Sequence, residues 1–185
     1  WRDIKNTAFI DDFLLSYENY NHKIEDAWQL YSLMQHYGMP TRLLDWTQSP
    51  LTALYFALEN EPAALENKRV IWAICPAKIN KNTKNGEYVF NSLNEGAVVD
   101  QYLPASLSPA HLKDISLPSG PIALKIPQTN KRIKSQQGCF TVHGSATESI
   151  EQYLVDGETN YAAKIIIKES DRKKFQKNLY ALSYK

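Results

Sequence analysis

The alternation of apolar and polar positions lays out the elements in order. Phe9, Phe13, Leu14 and Tyr17 recur at helical spacing, which predicts a helix over 9–20. A second helical pattern runs from Glu25 to Tyr37 through Trp28, Leu30, Tyr31, Leu33 and Met34. Gly38 fits the residue just past a helix end, and Pro40 blocks resumption. Thr41–Thr47 is short and bounded by breakers, so it reads as a strand. Ser49 is a good N-cap with Pro50 at the first helical position, and Leu51, Leu54, Tyr55 and Leu58 form one stripe, predicting a helix from Pro50 to about Glu59. Val70–Cys75 is a continuous apolar run, expected as a central strand. Positions 78–120 read as an irregular polar excursion carrying short helices, one of them over 108–114. Strands follow over 121–127 and 138–143, a helix over 149–155, a strand over 161–168, and a basic helix from 171 to about 182 capped by Ser170. Neither a repeat nor a linker separates two cores. The expected fold class is α+β: one domain with a mixed β core flanked by helices.

Composition narrows the partners. The 185 residues carry a net charge of +1, with apolar residues at 43% and charged residues at 22%. This is ordinary globular composition, and it gives no global electrostatic reason to bind nucleic acid or a membrane. No apolar run approaches the ~20 residues that span a bilayer. Two cysteines, Cys75 and Cys139, sit in apolar runs and read as small buried hydrophobes, which fits a reducing, cytoplasmic setting. The chain starts at Trp1 without Met and is expected to be a fragment or a processed chain.

Charges interrupt the strand over 41–47. Alternation puts Arg42 and Leu44 on one side and Leu43 and Asp45 on the other. Burying either charge costs several kcal/mol unless it is paired. Asp45 is therefore expected to be mostly buried, accepting hydrogen bonds from backbone amides or an arginine. An internal salt bridge explains these charges as well as a functional site does. The turn Trp46-Thr47-Gln48-Ser49 leads into a helix N-terminus, whose unpaired amides suit a phosphate. Cys139 and His143 on one strand would lie roughly 13 Å apart, too far for a nucleophile–base dyad. The four histidines show no metal-ligand spacing, and no Gly-rich phosphate loop is present. Two basic stretches, Lys125 to Lys134 and Arg172 to Lys177, read as solvated faces; the first adjoins Gln136 and can attract an anion.

The run QHYGMPTRLLDWTQSPLTALYFA, Gln35 to Ala57, resembles the central signature of the FRG domain family. Arg132 and Gln136-Gln137-Gly138-Cys139-Phe140 resemble that family's later Arg…Gln-x-Gly-x-Phe pattern. The naming Phe/Tyr-Arg-Gly motif is not in this sequence, and Trp1-Arg2 resembles the stretch that follows it. Residues 1–185 are thus expected to be an FRG domain lacking that motif. The resemblance implies a bacterial or phage protein of conflict or defence contexts, with motif order similar to the ADP-ribosyltransferase fold. It implies NAD as substrate, cleaved or used for ADP-ribosyl transfer, with no tightly bound cofactor. The rival implication is a non-catalytic nucleotide-sensing or protein-interaction module; a nuclease-like toxin lacks a metal site. Under the resemblance Gln136 orients the ribose, and Asp45 supplies a carboxylate. Thr47 and Ser49 contact phosphate or ribose, Trp46 and Tyr55 wall a ring, and Arg42, Arg132 and Gly138 complete the ligand contacts. The Ser49 helix start and the Gln136–Gly138 segment are expected to face one cleft. An upstream arginine would clamp the pyrophosphate, so the chain as given is expected to bind NAD weakly without turning it over.

Overall fold

A computed structural model describes residues 12–13, 15–16, 26–59, 68–84, 86–112, 115–127, 137–156 and 159–182. Five α-helices and eight strands are defined there: α1 Ala27–His36, β1 Leu43–Thr47, α2 Pro50–Glu59, β2 Lys68–Ile74, α3 Pro76–Lys84, β3 Phe90–Asn91, α4 Gly96–Val99, β4 Ile122–Lys125, β5 Gly138–Val142, β6 Val155–Asp156, β7 Thr159–Asn160, β8 Ala162–Lys168 and α5 Arg172–Ala181. The fold is mixed α+β.

The larger sheet has the order β1-β5-β4-β3, antiparallel except for the parallel β4–β3 pair. Its register aligns Leu43 with Val142 and Val142 with Ile122, and aligns Asp45, Phe140, Leu124 and Phe90 across all four strands. These residues therefore share one face. α1 buries Trp28, Tyr31 and Met34 against it in a single apolar cluster. The polar atoms of the buried rings are satisfied: Trp28 Nε1 donates to Asp100 Oδ1 at 2.8 Å and the Tyr102 hydroxyl to the Gly120 carbonyl at 2.9 Å. Burial raises the Tyr102 phenol above its ordinary pKa.

Local chemistry explains the ends of α1. The Asp26 carboxylate accepts from the Gln29 amide at 3.3 Å, which satisfies one orphan donor. At the other end Gly38 adopts φ +80°, a conformation only glycine takes without cost. Its amide donates to the Gln35 carbonyl and that of Met39 to Met34, the paired bonds of a Schellman end.

Several expectations need correction. Val70–Cys75 is not central: among the described residues β2 pairs only with β8, in a separate two-stranded antiparallel sheet. That sheet packs Ile71 and Ile167 against Leu58 of α2 and Leu179 of α5. Short helices were expected within 78–120, and one, α3, is present at its start, because Pro76 fills a first helical position and Ile79 and Asn80 are buried. Asn80 acts as a surrogate strand: its amide donates to the Ala123 carbonyl at 2.9 Å while its oxygen accepts from the Ala123 amide at 2.7 Å. The helix expected over 108–114 is only a 3-10 turn at Ala110–Leu112, and that over 149–155 a 3-10 stretch at Ile150–Leu154. Ser170 does not cap α5; a 3-10 turn at Glu169–Asp171 leads into it. The helix expected over 9–20 falls largely outside the described residues.

Candidate functional site

A cavity of about 790 Å³ opens between the two sheets. Leu44, Asp45, Trp46 and Thr47 of β1 all line it, as do Val70, Ile71 and Trp72 of β2. Successive strand residues point to opposite faces, so consecutive lining residues mean that the cavity runs along the strand edges. Each of these strands has one partner among the described residues. α1 contributes Ser32, Gln35 and His36; α2 contributes Ala53, Phe56 and Ala57; β5 contributes Gly138 and Phe140. The volume falls in the range of small-molecule sites, and the walls are apolar and aromatic with few polar groups.

Asp45 sits at the open end of the row Asp45–Phe140–Leu124–Phe90. It was expected to be mostly buried and held by backbone amides or an arginine. It is instead exposed, because β1 is the outermost strand of its sheet, and its Oδ2 accepts from Gln35 Nε2 at 2.6 Å. The Thr41 hydroxyl donates to the other end of that same amide, Gln35 Oε1. The chain Thr41–Gln35–Asp45 thus fixes the carboxylate in the cavity wall. Trp46 points to the opposite face of β1, and its Nε1 donates to Thr141 Oγ1 at 3.0 Å, which sets the plane of the indole. Asp45 is the one carboxylate and His36 the one imidazole among the described lining residues, and none is Lys or Arg.

The two halves of the sequence signature do meet. Thr47 pairs with Gly138, and the Gln48 amide donates to the Gln137 carbonyl at 3.1 Å. Gln137 is the one described non-glycine residue at positive φ, +50°, which marks a constrained entry into β5 beside the cavity. Gln136 and Arg132 lie outside the described residues.

The turn into α2 differs from the expected phosphate cradle. Thr47 Oγ1 accepts from the Ser49 amide at 3.1 Å, and Ser49 Oγ accepts from the Thr52 amide at 3.3 Å. The Gln48 amide is committed to Gln137, Pro50 has none, and the Ala53 amide donates to the Ser49 carbonyl. The turn therefore spends these donors on its own N-cap. Thr47 still lines the cavity, whereas Ser49 is not among the described lining residues.

Arg42 and Tyr55 also sit elsewhere than expected. The Arg42 guanidinium donates to the Tyr102 carbonyl and, at 3.4 Å, to the His143 carbonyl, so it staples loops on the far side of β1. Tyr55 packs toward the Leu58–Ile167–Leu179 cluster. Its neighbour Phe56 takes the cavity wall, because residues 53, 56 and 57 share one helix face. Phe56 and Trp72 are among the wall residues not expected from the sequence. The i, i+3, i+4 spacing around Ala53 was available as a signal. The approach of β2 to β1 was not.

Burial raises the Cys139 thiol and lowers the His143 imidazole relative to their ordinary values. Both are thus held neutral, which gives no support to an activated thiolate.

Residues 2–66 match the family model of the FRG domain. Over these residues the chain is similar to the FRG domain. The match takes in α1, β1 and α2, and hence the Asp45, Trp46, Thr47 and Phe56 walls of the cavity. The Gln-x-Gly-x-Phe pattern of β5 lies beyond the matched FRG residues, joined to them by the β1–β5 pairing. No match was found among curated proteins or among solved structures. No helix among the described residues is long and apolar enough to cross a membrane.

Proposed function

We propose that the cavity binds the ring and ribose of a nucleotide and that the protein cleaves NAD or transfers its ADP-ribosyl group, on a core related to that of ADP-ribosyltransferases. The observation that carries the reading is Asp45: a carboxylate fixed by Gln35 in the wall of a cavity lined by Trp46, Trp72 and Phe56. Flat aromatic walls suit a nicotinamide or adenine ring. In the reaction the bond between the ribose C1′ and the nicotinamide nitrogen breaks, and its electron pair leaves with nicotinamide. The ribose becomes positively charged as the bond lengthens, and a fixed carboxylate beside it stabilises that charge. Water or a target nucleophile then adds to C1′ and gives up its proton. His36, the one imidazole among the described lining residues, is the residue proposed to accept it.

The test has two parts. Titration with NAD should quench the Trp46 and Trp72 fluorescence. Nicotinamide release by the full-length protein should fall by about 100-fold in Asp45→Asn, the loss typical of removing one transition-state partner, while NAD affinity holds. No quenching would overturn the reading. Quenching without nicotinamide release would favour the second reading, a non-catalytic nucleotide-sensing or interaction module. The exposed apolar rim of the cavity, Leu44, Phe56 and Val70, supports that second reading.

A further inference from the structure

The β2–β8 sheet turns one face outward beside the cavity. Register places Trp72 opposite Lys164, Val70 opposite Ile166 and Lys68 opposite Lys168, so these six side chains share that face. Lys164 Nζ stands 4.4 Å from the centroid of the Trp72 ring, and Trp72 and Val70 line the cavity. All three lysines are exposed. Neither strand contains a carboxylate. Among the described residues no ion pair includes Lys68, Lys164 or Lys168. Like charges directly across an antiparallel pair destabilise it, so the Lys68–Lys168 pair is a cost with no internal compensation. The cavity itself carries no Lys or Arg among its described lining residues, and in the turn into α2 the amides of Gln48, Ser49, Thr52 and Ala53 already have partners within the protein. The cations that an anionic ligand would need therefore stand one indole away, on this face.

We propose that Lys164 is the phosphate anchor of the nucleotide site, with Lys68 and Lys168 extending the positive field along the same face. This rests on the nucleotide reading above. A base stacked on Trp72 carries its phosphates one ribose away, within the sweep of a lysine stem. The cation–π contact holds the ammonium near the ring before ligand arrives. A lysine serves phosphate as a hydrated point charge, so the contact should be sensitive to salt. Lys168 lies four residues along β8, roughly 13 Å from Lys164, and should act through the field alone.

The experiment measures binding of ADP-ribose and of adenosine by calorimetry at low and at physiological salt, for the wild-type chain, Lys164→Gln and Lys164→Arg. Lys164→Gln should weaken ADP-ribose by about tenfold at low salt, as loss of a charge-assisted contact does. Adenosine, which has no phosphate, should be unchanged, and Lys164→Arg should recover most of the loss. If Lys164→Gln weakens both ligands alike, the residue only orients Trp72, and the anchor is wrong. Unchanged ADP-ribose affinity in Lys164→Gln would also overturn it, while leaving the nucleotide reading standing. If the wild-type chain binds neither ligand, the nucleotide reading falls and takes the anchor with it.

Discussion

Arg42 separates a structural role from a ligand role in a single substitution. Its guanidinium reaches the carbonyls of Tyr102 and His143, whereas its own amide donates to the Tyr31 hydroxyl at 2.8 Å and its carbonyl accepts from the His143 amide at 3.0 Å. Arg42→Met keeps the apolar stem and both backbone contacts but removes every guanidinium donor. Each carbonyl left without its charged partner costs about 1–3 kcal/mol when water cannot replace it. Tyr102 is fully buried, so its carbonyl contact sits at the upper part of that range; the 3.4 Å bond to His143 is long and partly open to water, so it counts for little. The sum is about 2–3 kcal/mol, or roughly 6 °C in Tm for a chain of this size. Urea unfolding and thermal melts should show that loss. NAD affinity of the folded variant, measured well below its transition, should match wild type, because Arg42 is not among the cavity's described lining residues. A variant of wild-type stability, or one that stays stable but loses nucleotide affinity, would refute the argument.

Two further outcomes follow from contacts in and near the site. Ser49→Ala should lower stability by about 1 kcal/mol through loss of the cap to the Thr52 amide, with little change in nucleotide affinity; a large affinity loss at unchanged stability would instead place Ser49 on the ligand. His143 is held neutral by burial, with its pKa below the ordinary 6.5. The unfolded chain therefore binds a proton that the folded chain refuses as pH falls through that range, so stability should decline from about pH 6.5 downward. In His143→Gln the profile from pH 7.5 to 5 should be flatter; an equal slope would assign the decline to other groups.

Much of the site's local structure was legible in the sequence because it rests on near neighbours. Gly38 ending α1 and the Ser49–Pro50 start of α2 each depend on the chain's own next few residues. The alternation in β1, with Leu43 toward the core and Leu44 away from it, needs only the two-residue period. Long polar stretches hid α3 and the β3 pairing, because Asn80 earns its place through a contact 43 residues away. The match of residues 2–66 also agrees with a motif readable from Gln35 to Ala57.

Which candidate residues could act together was decided by tertiary structure alone. From the sequence, Arg42, Asp45, Ser49 and Tyr55 were equal members of one segment. Pairing of β1 with β5 placed Asp45 at an open sheet edge and sent Arg42 to bind carbonyls elsewhere. The turn closed on itself through Thr47 and Ser49, and packing of α2 on α5 drew Tyr55 away and left Phe56 in the wall. The approach of the β2 edge added Trp72, with Lys164 above it, to a site whose other walls lie mostly before residue 60. Capping and alternation are set by bonds between residues a few positions apart, so the sequence by itself determines them. A cavity between two sheets depends on how separate strands dock, and one chain's pattern of apolar positions permits several dockings; only the packed structure selects among them.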